Sequence, residues 1–499
     1  MAIPASARRR LGEEADNEPH YCRAPPPWRS RGLDSDGVDE RFEDHLRHPR
    51  GRGPTPPGGH DGAAGGAACG DLVRISVAVE GEHVVRATFD ASGCGAAQAA
   101  ASAAVERVQG AHVLAAARVG ASEIAAELGG LSPGKLHAAD LASDALHRAL
   151  GEAVRADAAL SPRADRVLVA MSGGVDSAVA ALLAAREGGE VAAVTVELWA
   201  DPDNDAERSC CSAAAVRSAR ALAHRMGLAH LTVDLRDEFR AGVVEPWLAE
   251  HAAGRTPNPC VRCNGSVRLD AMVALADRLG AAALATGHYA RLDEGSLRVA
   301  RDDAKDQSYM LAATPPDTLA RLRFPLGELS KPEVRALALQ AELPVAGKAD
   351  SQDLCFLAGT SRAAFLARHG GIADRAGDVV DREGRVLGQH RGQHHFTVGQ
   401  RRGLGLAAGE PRYVLAKDAG ANTVTVGPRE QLETRVVRVR DVRLTGTPET
   451  VKLRYRTRPI SCRLDGEEIR LAEPVDGAAP GQTAVFFAGD LVVGTATIA

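Results

Sequence analysis

Six consecutive residues, Ser172-Gly173-Gly174-Val175-Asp176-Ser177, stand between the apolar run RVLVAM and an alanine-rich stretch, and their types suit phosphate chemistry. Two adjacent glycines let the backbone turn so that successive N–H groups point at a pyrophosphate, and the N-terminus of the following helix adds favourable dipole charge. Ser172 and Ser177 supply hydroxyl donors. Asp176 would repel phosphate by itself and is suited to hold Mg2+ against the phosphate oxygens. The competing reading is a glycine turn capped by Asp and Ser, but the strand and helix on either side favour the phosphate loop. No Gly-Lys-Ser/Thr follows, so the loop is not of the Walker type.

Sulfur is the second chemistry. Cys260 and Cys263 lie in RTPNPCVRCN, where two prolines force an extended loop just before a helix, and Cys355 lies in the polar loop DSQDLCF. A thiol near a helix N-terminus beside Arg262 has a lowered pKa and more thiolate. A lone cysteine is more often buried and inert; the polar surroundings and the Cys-x-x-Cys spacing reverse that preference here. Cys210, Cys211 and Cys462 lack such a setting and read as structural. His394 and His395, paired in a Gly/Gln-rich loop, read as polar turn residues.

These residues must be carried by a multidomain chain, since 499 residues exceed one ordinary core. With 45% hydrophobic and 25% charged residues the chain is globular, and a net charge of -5 leaves any nucleic-acid partner to local basic surface. The lack of a long apolar run excludes a membrane partner, and the lack of a secretory leader places the chain in the cytoplasm. There its nine cysteines stay mostly reduced. Residues 1–41 read as disordered, with Phe42 to Gly53 as a short docked helix. Residues 42–153 read as a small α+β domain built on RISVAVEG, VVRATFDA and a helix over Ala96–Val108. After a linker over 154–165, strands and helices alternate through 166–357: Val167–Met171, a helix from Asp176, Val191–Val196, a helix over Ala213–Met226, Leu231–Asp234, a helix from Val267, and Ala282–Thr286. That order predicts an α/β domain with a doubly wound parallel sheet. Two small β-rich domains, 358–432 and 433–499, are expected to follow. In the last, alternation puts Lys452, Arg454, Arg456 and Arg458 on one strand face with Tyr455 opposite, a row suited to RNA phosphates and a stacked base.

The phosphate loop resembles that of the ATP pyrophosphatase (PP-loop) superfamily, which transfers AMP to an oxygen. From about Arg166 to Ala499 the chain resembles the bacterial tRNA-specific 2-thiouridylase (MnmA) family, through SGGVDS, GRTPNPCVRCN, ATGHYAR, KDQSYML, DSQDLCF and GQRRGLGL in the family's order. The resemblance implies adenylation of the O2 of the wobble uridine and its replacement by sulfur. Cys263 matches the nucleophile and Cys355 the persulfide carrier. ATP contacts are implied at Ala170, Met171, Ser172, Gly173, Gly174, Val175, Asp176, Ser177, Leu198 and Gly287. Contacts to tRNA are implied at His288, Lys305, Asp306, Gln307, Arg454, Tyr455 and Gln482. Many family members carry an acidic residue where this chain has Cys260. The three cysteines Cys260, Cys263 and Cys355 therefore suit either a persulfide relay or a [4Fe–4S] cluster with one open iron.

Residues 42–153 resemble NifU/IscU iron–sulfur scaffolds through ACGD, SGCGAAQAAAS and LSPGKLHAADLASDAL, which matches the metal ligands to Cys69, Asp71, Cys94 and His137. Ala138 stands where the third scaffold cysteine belongs, which favours weak metal binding, or docking of a sulfur donor such as a cysteine desulfurase, over full scaffold activity. The other readings of the whole chain are an amidotransferase-type synthetase, which leaves the three cysteines unexplained, and an iron–sulfur carrier with a nucleotide-binding appendage, which leaves the intact phosphate loop unexplained.

Overall fold

The computed structural model describes residues 39–65, 70–201, 212–349, 354–406 and 410–499. Cys69, Cys210, Cys211, most of the expected disordered segment and the first four residues of DSQDLCF lie outside the described residues. The chain divides into two compact units, one of residues 1–150 with 220–230, the other of 151–219 with 231–499.

In the first unit, a helix over Glu40–Arg47 is capped by Asp39, whose side chain accepts the Arg41 N–H, and it buries Phe42. Strands β1 (His60–Gly65), β2 (Leu72–Glu80) and β3 (His83–Ser92) form an antiparallel sheet in that order. The expected pair is present, and β1 is an addition, since HDGAAG carries no apolar alternation to announce it. The Gly95–Val108 helix is almost wholly alanine on its buried side, which lets it lie close on the sheet. The Leu136–Ala156 helix brings Ala138 fully into the core while His137 stays at the surface. A buried ion pair, Arg220 to Asp144 at 2.6 Å, ties its flank to the 220–230 segment.

In the second unit, β4 (Arg163–Ala170), β5 (Glu190–Glu197), β6 (Ala229–Asp234), β7 (Ala281–Ala285), β8 (Arg291–Asp293), β9 (Ser296–Arg298) and β10 (Leu322–Arg323) follow in chain order. Five of them build a sheet ordered β10-β7-β4-β5-β6, in which β4 pairs in parallel with β5 and β7, and β7 with β10. This is the doubly wound arrangement expected, with β4 central and the phosphate loop at its C-terminal end, where such folds bind ligands. A smaller sheet, ordered β12-β11-β14-β13, comprises β11 (Gly377–Val380), β12 (Val386–His390), β13 (Tyr413–Asp418) and β14 (Thr423–Gly427). The remaining strands are β15 (Glu433–Leu444), β16 (Thr450–Lys452), β17 (Ile460–Asp465), β18 (Glu468–Asp476), β19 (Thr483–Ala488) and β20 (Leu491–Ile498), and the β15–β20 pairing closes them into a barrel. The β8–β9 hairpin adds to β20, with both Arg291 and Arg298 on Asp490.

The basic strand row does not form. Strand β16 stops at Lys452, and Arg456 sits in the left-handed region at φ 67°, two residues before the arginine that precedes Pro459. A proline cannot continue a ladder, and the segment turns instead. Its cations go to separate partners: Lys452 to Asp306 at 3.5 Å, Arg454 to the carbonyls of Val398 and Gly477, and Arg458 to Glu473 at 2.6 Å. Arg456 lies over the Tyr455 ring at 5.6 Å.

Candidate active site

The loop after β4 is held open by its own hydroxyls. The Met171 N–H donates to Val194 O at 2.8 Å, which keeps the loop's first residue in the sheet. The Ser172 N–H donates to Ser177 Oγ at 3.1 Å, and Ser177 Oγ donates to Gly174 O at 3.1 Å. Gly173 takes a φ of +69°, a left-handed turn that glycine accepts without strain. The Val175–Arg186 helix starts directly afterwards with Gly174 as its N-cap, so the loop ends on a helix N-terminus at the C-terminal edge of β4. Ala170 and Leu198 lie at the C-terminal ends of β4 and β5, on the same edge of the sheet, Leu198 being buried. Gly287, just beyond β7, approaches so closely that a Cβ there would lie 2.7 Å from the Ser177 nitrogen. Any side chain at 287 would push the loop out of place.

Three groups that motif reading missed complete this corner. Lys331 is almost buried and its Nζ donates to both Asp176 oxygens, at 2.7 and 2.8 Å. The Tyr289 hydroxyl donates to Asp176 Oδ1 at 2.8 Å, and Lys348 Nζ donates to Gly173 O at 2.9 Å. Two lysines thus flank a loop built to face phosphates. Asp176 fits magnesium in donor type, but both its oxygens are engaged by Lys331. The ammonium therefore supplies positive charge at the position where the metal is expected.

The cysteine helix, Pro259–Ser266, is started by Asn258, whose side chain accepts the Cys260 N–H at 3.1 Å, with Pro259 at the first helical position. It is held on two sides. Val261 packs with Tyr309, Val485 and Phe487, and the Tyr309 hydroxyl donates to Thr483 O at 2.6 Å. Upstream, the Thr256 N–H donates to Pro480 O at 2.7 Å, and the Gln482 amide donates to Thr256 O. Gly481, at φ +89°, leaves room for this approach, since a Cβ there would sit 3.0 Å from both Arg255 Cβ and Thr256 N. Gln482, expected to meet tRNA, here anchors the loop that leads into the cysteines.

On the other side lies a helical run from Arg236 to Ala252, whose middle, Arg240–Val244, is a π-helix. Gly242 O, in the π-helical stretch, accepts from Arg262 Nε at 2.6 Å, which ties the cysteine helix to this run. The same run carries Cys355: the adjoining Phe356 is buried with its ring 5.9 Å from Phe239, 5.3 Å from Trp247 and 5.1 Å from Phe365. The helix bearing Cys263 and the short turn Cys355–Leu357 therefore hang from one support although 92 positions separate the two cysteines in sequence. Cys263 is buried, while Cys260 and Cys355 are partly exposed. Cys462 lies on β17, and burial pushes its thiol up to about 11.

Of the residues expected to meet tRNA, His288 is the most constrained. Burial and then the Arg268 guanidinium push it down to about 3, so it is neutral. Its Nε2 is 3.1 Å from Arg268 Nη2, a donor only, so Nε2 accepts and Nδ1–H donates to Thr286 Oγ1 at 2.8 Å. Asp306 is buried and accepts from Ala300 N, Ser308 N and Ser308 Oγ, which makes it a turn-builder. Gln307 Oε1 accepts the Tyr289 N–H at 2.9 Å. Lys305 is half-buried beside them. Tyr455 lies tilted against Tyr309 at 5.9 Å, which places it next to the cysteine helix.

In the first unit, Asp71, Cys94 and His137 come together with ligand atoms within 4.8 Å of one another, and Cys69 lies outside the described residues. The backbone N–H of Cys94, at 2.7 Å, does most to hold the Asp71 carboxyl below the usual carboxylate range; burial opposes it, and the Cys94 thiol and His137 reinforce it. A carboxylate, a thiol and an imidazole on one rim fit a zinc or iron ion. Cys260, Cys263 and Cys355 do not form such a group in these described residues.

Comparison with known proteins agrees with both units. Residues 39–157 match the family described as "NifU-like N terminal domain", 165–359 "tRNA methyl transferase HUP domain", 363–428 "tRNA methyl transferase PRC-barrel domain" and 435–498 "Aminomethyltransferase beta-barrel domain". The chain is 44% identical over 481 residues to "Bifunctional protein NifU/MnmA" of Rubrobacter xylanophilus, covering 92% of this chain and 98% of that one. It is also similar to proteins named "tRNA-specific 2-thiouridylase MnmA": that of Acidithiobacillus ferrooxidans at 45% identity, covering 66% of this chain and 97% of that one, and that of Thermobifida fusca at 46%, covering 67% and 95%. Near-complete coverage in both directions, over a PP-loop domain that carries its cysteines on one support, means that the chain belongs to the MnmA 2-thiouridylase family, in the form that bears an N-terminal NifU-like domain.

Proposed function

We propose that this chain catalyses the ATP-dependent 2-thiolation of the wobble uridine, position 34, of tRNA. The observation that carries the reading is the shared support of the cysteine helix and the Cys355 turn, in the unit that holds the phosphate loop. Chemistry at a carbonyl carbon needs a leaving group first. The uridine O2 attacks the α-phosphorus of ATP, the bond to the β-phosphate breaks, and pyrophosphate departs into the N–H groups of Gly173–Ser177 between Lys331 and Lys348. Magnesium would add charge neutralisation at the phosphates, and Asp176 would hold it only where Lys331 yields one of the two carboxylate oxygens it now binds.

The adenylated oxygen now leaves as AMP when sulfur attacks C2. In the persulfide route, the outer sulfur of Cys355 persulfide forms the C2–S bond. The Cys263 thiolate then attacks the Cys355 sulfur and breaks its bond to the transferred sulfur, leaving 2-thiouridine and a Cys263–Cys355 disulfide that a dithiol reductant must reset. In a second reading Cys260, one helical turn before Cys263, would join Cys263 and Cys355 in holding a [4Fe–4S] cluster that would supply sulfide, which requires the three thiols to come closer together than they stand here. The NifU-like unit, with Asp71, Cys94 and His137, binds a metal or docks a sulfur donor, and its tether raises the donor's effective concentration. The proposed working compartment is the cytoplasm; among the described residues no helix is long and apolar enough to cross a membrane.

Loss of 2-thiouridine from tRNA after gene deletion, restored by the wild-type chain, is the expected test result; thiolation that persists in a strain with no other enzyme for it refutes the reading. Iron content of anaerobically purified Cys260→Ala separates the two routes. Iron lost in the variant supports the cluster, and iron unchanged or absent in both supports the persulfide relay.

A further inference from the structure

Away from the phosphate loop, a turn over Gln393–His395 follows β12 in the second unit and stacks two imidazoles, with ring centroids 4.2 Å apart. His394 is 3% exposed, yet its Nε2 has no hydrogen-bond partner. That atom lies 3.7 Å from Asp374 Oδ1, and His395 Nε2 lies 2.7 Å from the same oxygen. The other Asp374 oxygen is taken by Arg391. All three ligand atoms lie within 4.8 Å of one another. A hydrogen bond from His395 to Asp374 explains one of these imidazoles. It leaves the buried nitrogen of the other aimed at an oxygen too far away to bond.

We propose that Asp374, His394 and His395 form a binding site for a divalent first-row transition cation, best suited to Zn2+, with a fourth position open to water. A tetrahedral ion bound at about 2.0–2.1 Å needs its ligand atoms roughly 3.3 Å apart, and the two separations at Asp374 Oδ1 bracket that value. At Asp374 Oδ1, entry of the ion needs only sub-ångström changes in those two separations. It turns the orphaned nitrogen into a ligand, with Arg391 as the outer partner that orients the carboxylate.

The surroundings decide which ions are admitted. Arg362 Nη2 donates to His395 O at 3.0 Å and Lys417 Nζ to Phe396 O at 2.9 Å, so two cations stand on the backbone of the same turn. They oppose hard ions held by charge alone, Mg2+ and Ca2+, and leave ions that bond covalently to imidazole. The bound ion staples the loop at Asp374 to the turn whose Gln393 amide reaches His251 O at 3.5 Å, on the helical run that supports both cysteine segments.

The test uses the full chain, stripped with chelator and then titrated with Zn2+ and with Co2+. His395→Gln and Asp374→Asn alter partly exposed side chains, so both variants are expected to fold, which circular dichroism checks. Each is expected to bind one equivalent of Zn2+ fewer than wild type. The thiolate-to-cobalt charge transfer that reports cysteine sites stays unchanged in them. Cys94→Ser, conversely, keeps that equivalent, and millimolar Mg2+ does not displace it. An unchanged Zn2+ stoichiometry in folded His395→Gln, or displacement of the ion by Mg2+, overturns the proposal.

Discussion

Substituting Gly287 by alanine probes the nucleotide cradle without touching any group that reacts. The new Cβ would lie 2.7 Å from Ser177 N, 2.8 Å from the Asp176 carbonyl carbon and 3.0 Å from its oxygen, all backbone atoms of the first helical turn. Ordinary contact begins at 3.4 Å, so the loop must retreat by about 0.7 Å, and no flexible side chain is there to absorb it. The strand behind Gly287 cannot yield either, because β7 is paired in parallel with both β4 and β10. Overpacking of this kind costs about 1–3 kcal/mol, so the variant folds. A displacement approaching 1 Å in a reacting geometry costs on the order of 10²-fold, about 2.7 kcal/mol of transition-state stabilisation. We therefore expect tRNA-dependent pyrophosphate release to fall about 10- to 100-fold in kcat/KM for ATP, with tRNA affinity unchanged and a thermal transition lowered only by the several degrees, roughly, that the overpacking itself implies. A folded Gly287→Ala enzyme with kcat/KM within twofold of wild type would refute the reasoning that the 172–177 loop and Gly287 jointly seat the nucleotide.

Three further outcomes follow from contacts elsewhere. Gly481→Ala pushes on Arg255 and Thr256, so it should leave pyrophosphate release near wild type while lowering thiolation by about 10-fold or more, measured as 2-thiouridine formed per pyrophosphate; equal losses in both readouts would contradict a role confined to the cysteine loop. Burial, with the Arg362 and Lys417 cations, pushes His251 down to about 3, below its unfolded value near 6.5. Its stabilising contribution is therefore complete above about pH 6.5 and is lost as the pH falls, by about 3 kcal/mol at about pH 4.5, so urea melts should show a shallower acid loss in His251→Gln. Asp144→Ala leaves buried Arg220 without its partner at 2.6 Å, and is expected to destabilise by about 3 kcal/mol or more in denaturant melts, with part recovered when Arg220→Met is added.

The phosphate loop was legible because its chemistry is local: strand, turn and helix follow one another within a few residues, and the fold reproduces that order. Lys331 and Lys348 were not, since they reach the loop from 155 and 175 positions away. One signal was available. Ser330 and Glu333 form a capping box, which places Lys331 at the first position of its helix, where the dipole disfavours a cation unless an anion faces it. The cysteine motifs were readable as sulfur chemistry, but their common support was not, because it depends on the long-range contact of Arg262 with Gly242 O and on the aromatic packing of Phe356. The row at 452–458 misled because alternation of charge says nothing about φ, and Arg456 turns the chain. Paired His394 and His395 read as turn residues, and they are; only the position of Asp374, twenty residues earlier, gives them a shared oxygen.

The most direct measurement is a single-turnover assay of the full chain with a sulfur donor, ATP and unmodified tRNA, following pyrophosphate release and 2-thiouridine at position 34 together. Cys263→Ser and Cys355→Ser are each predicted to release pyrophosphate at close to the wild-type rate and to form no 2-thiouridine. Formation of 2-thiouridine at the wild-type rate by either variant would contradict the account.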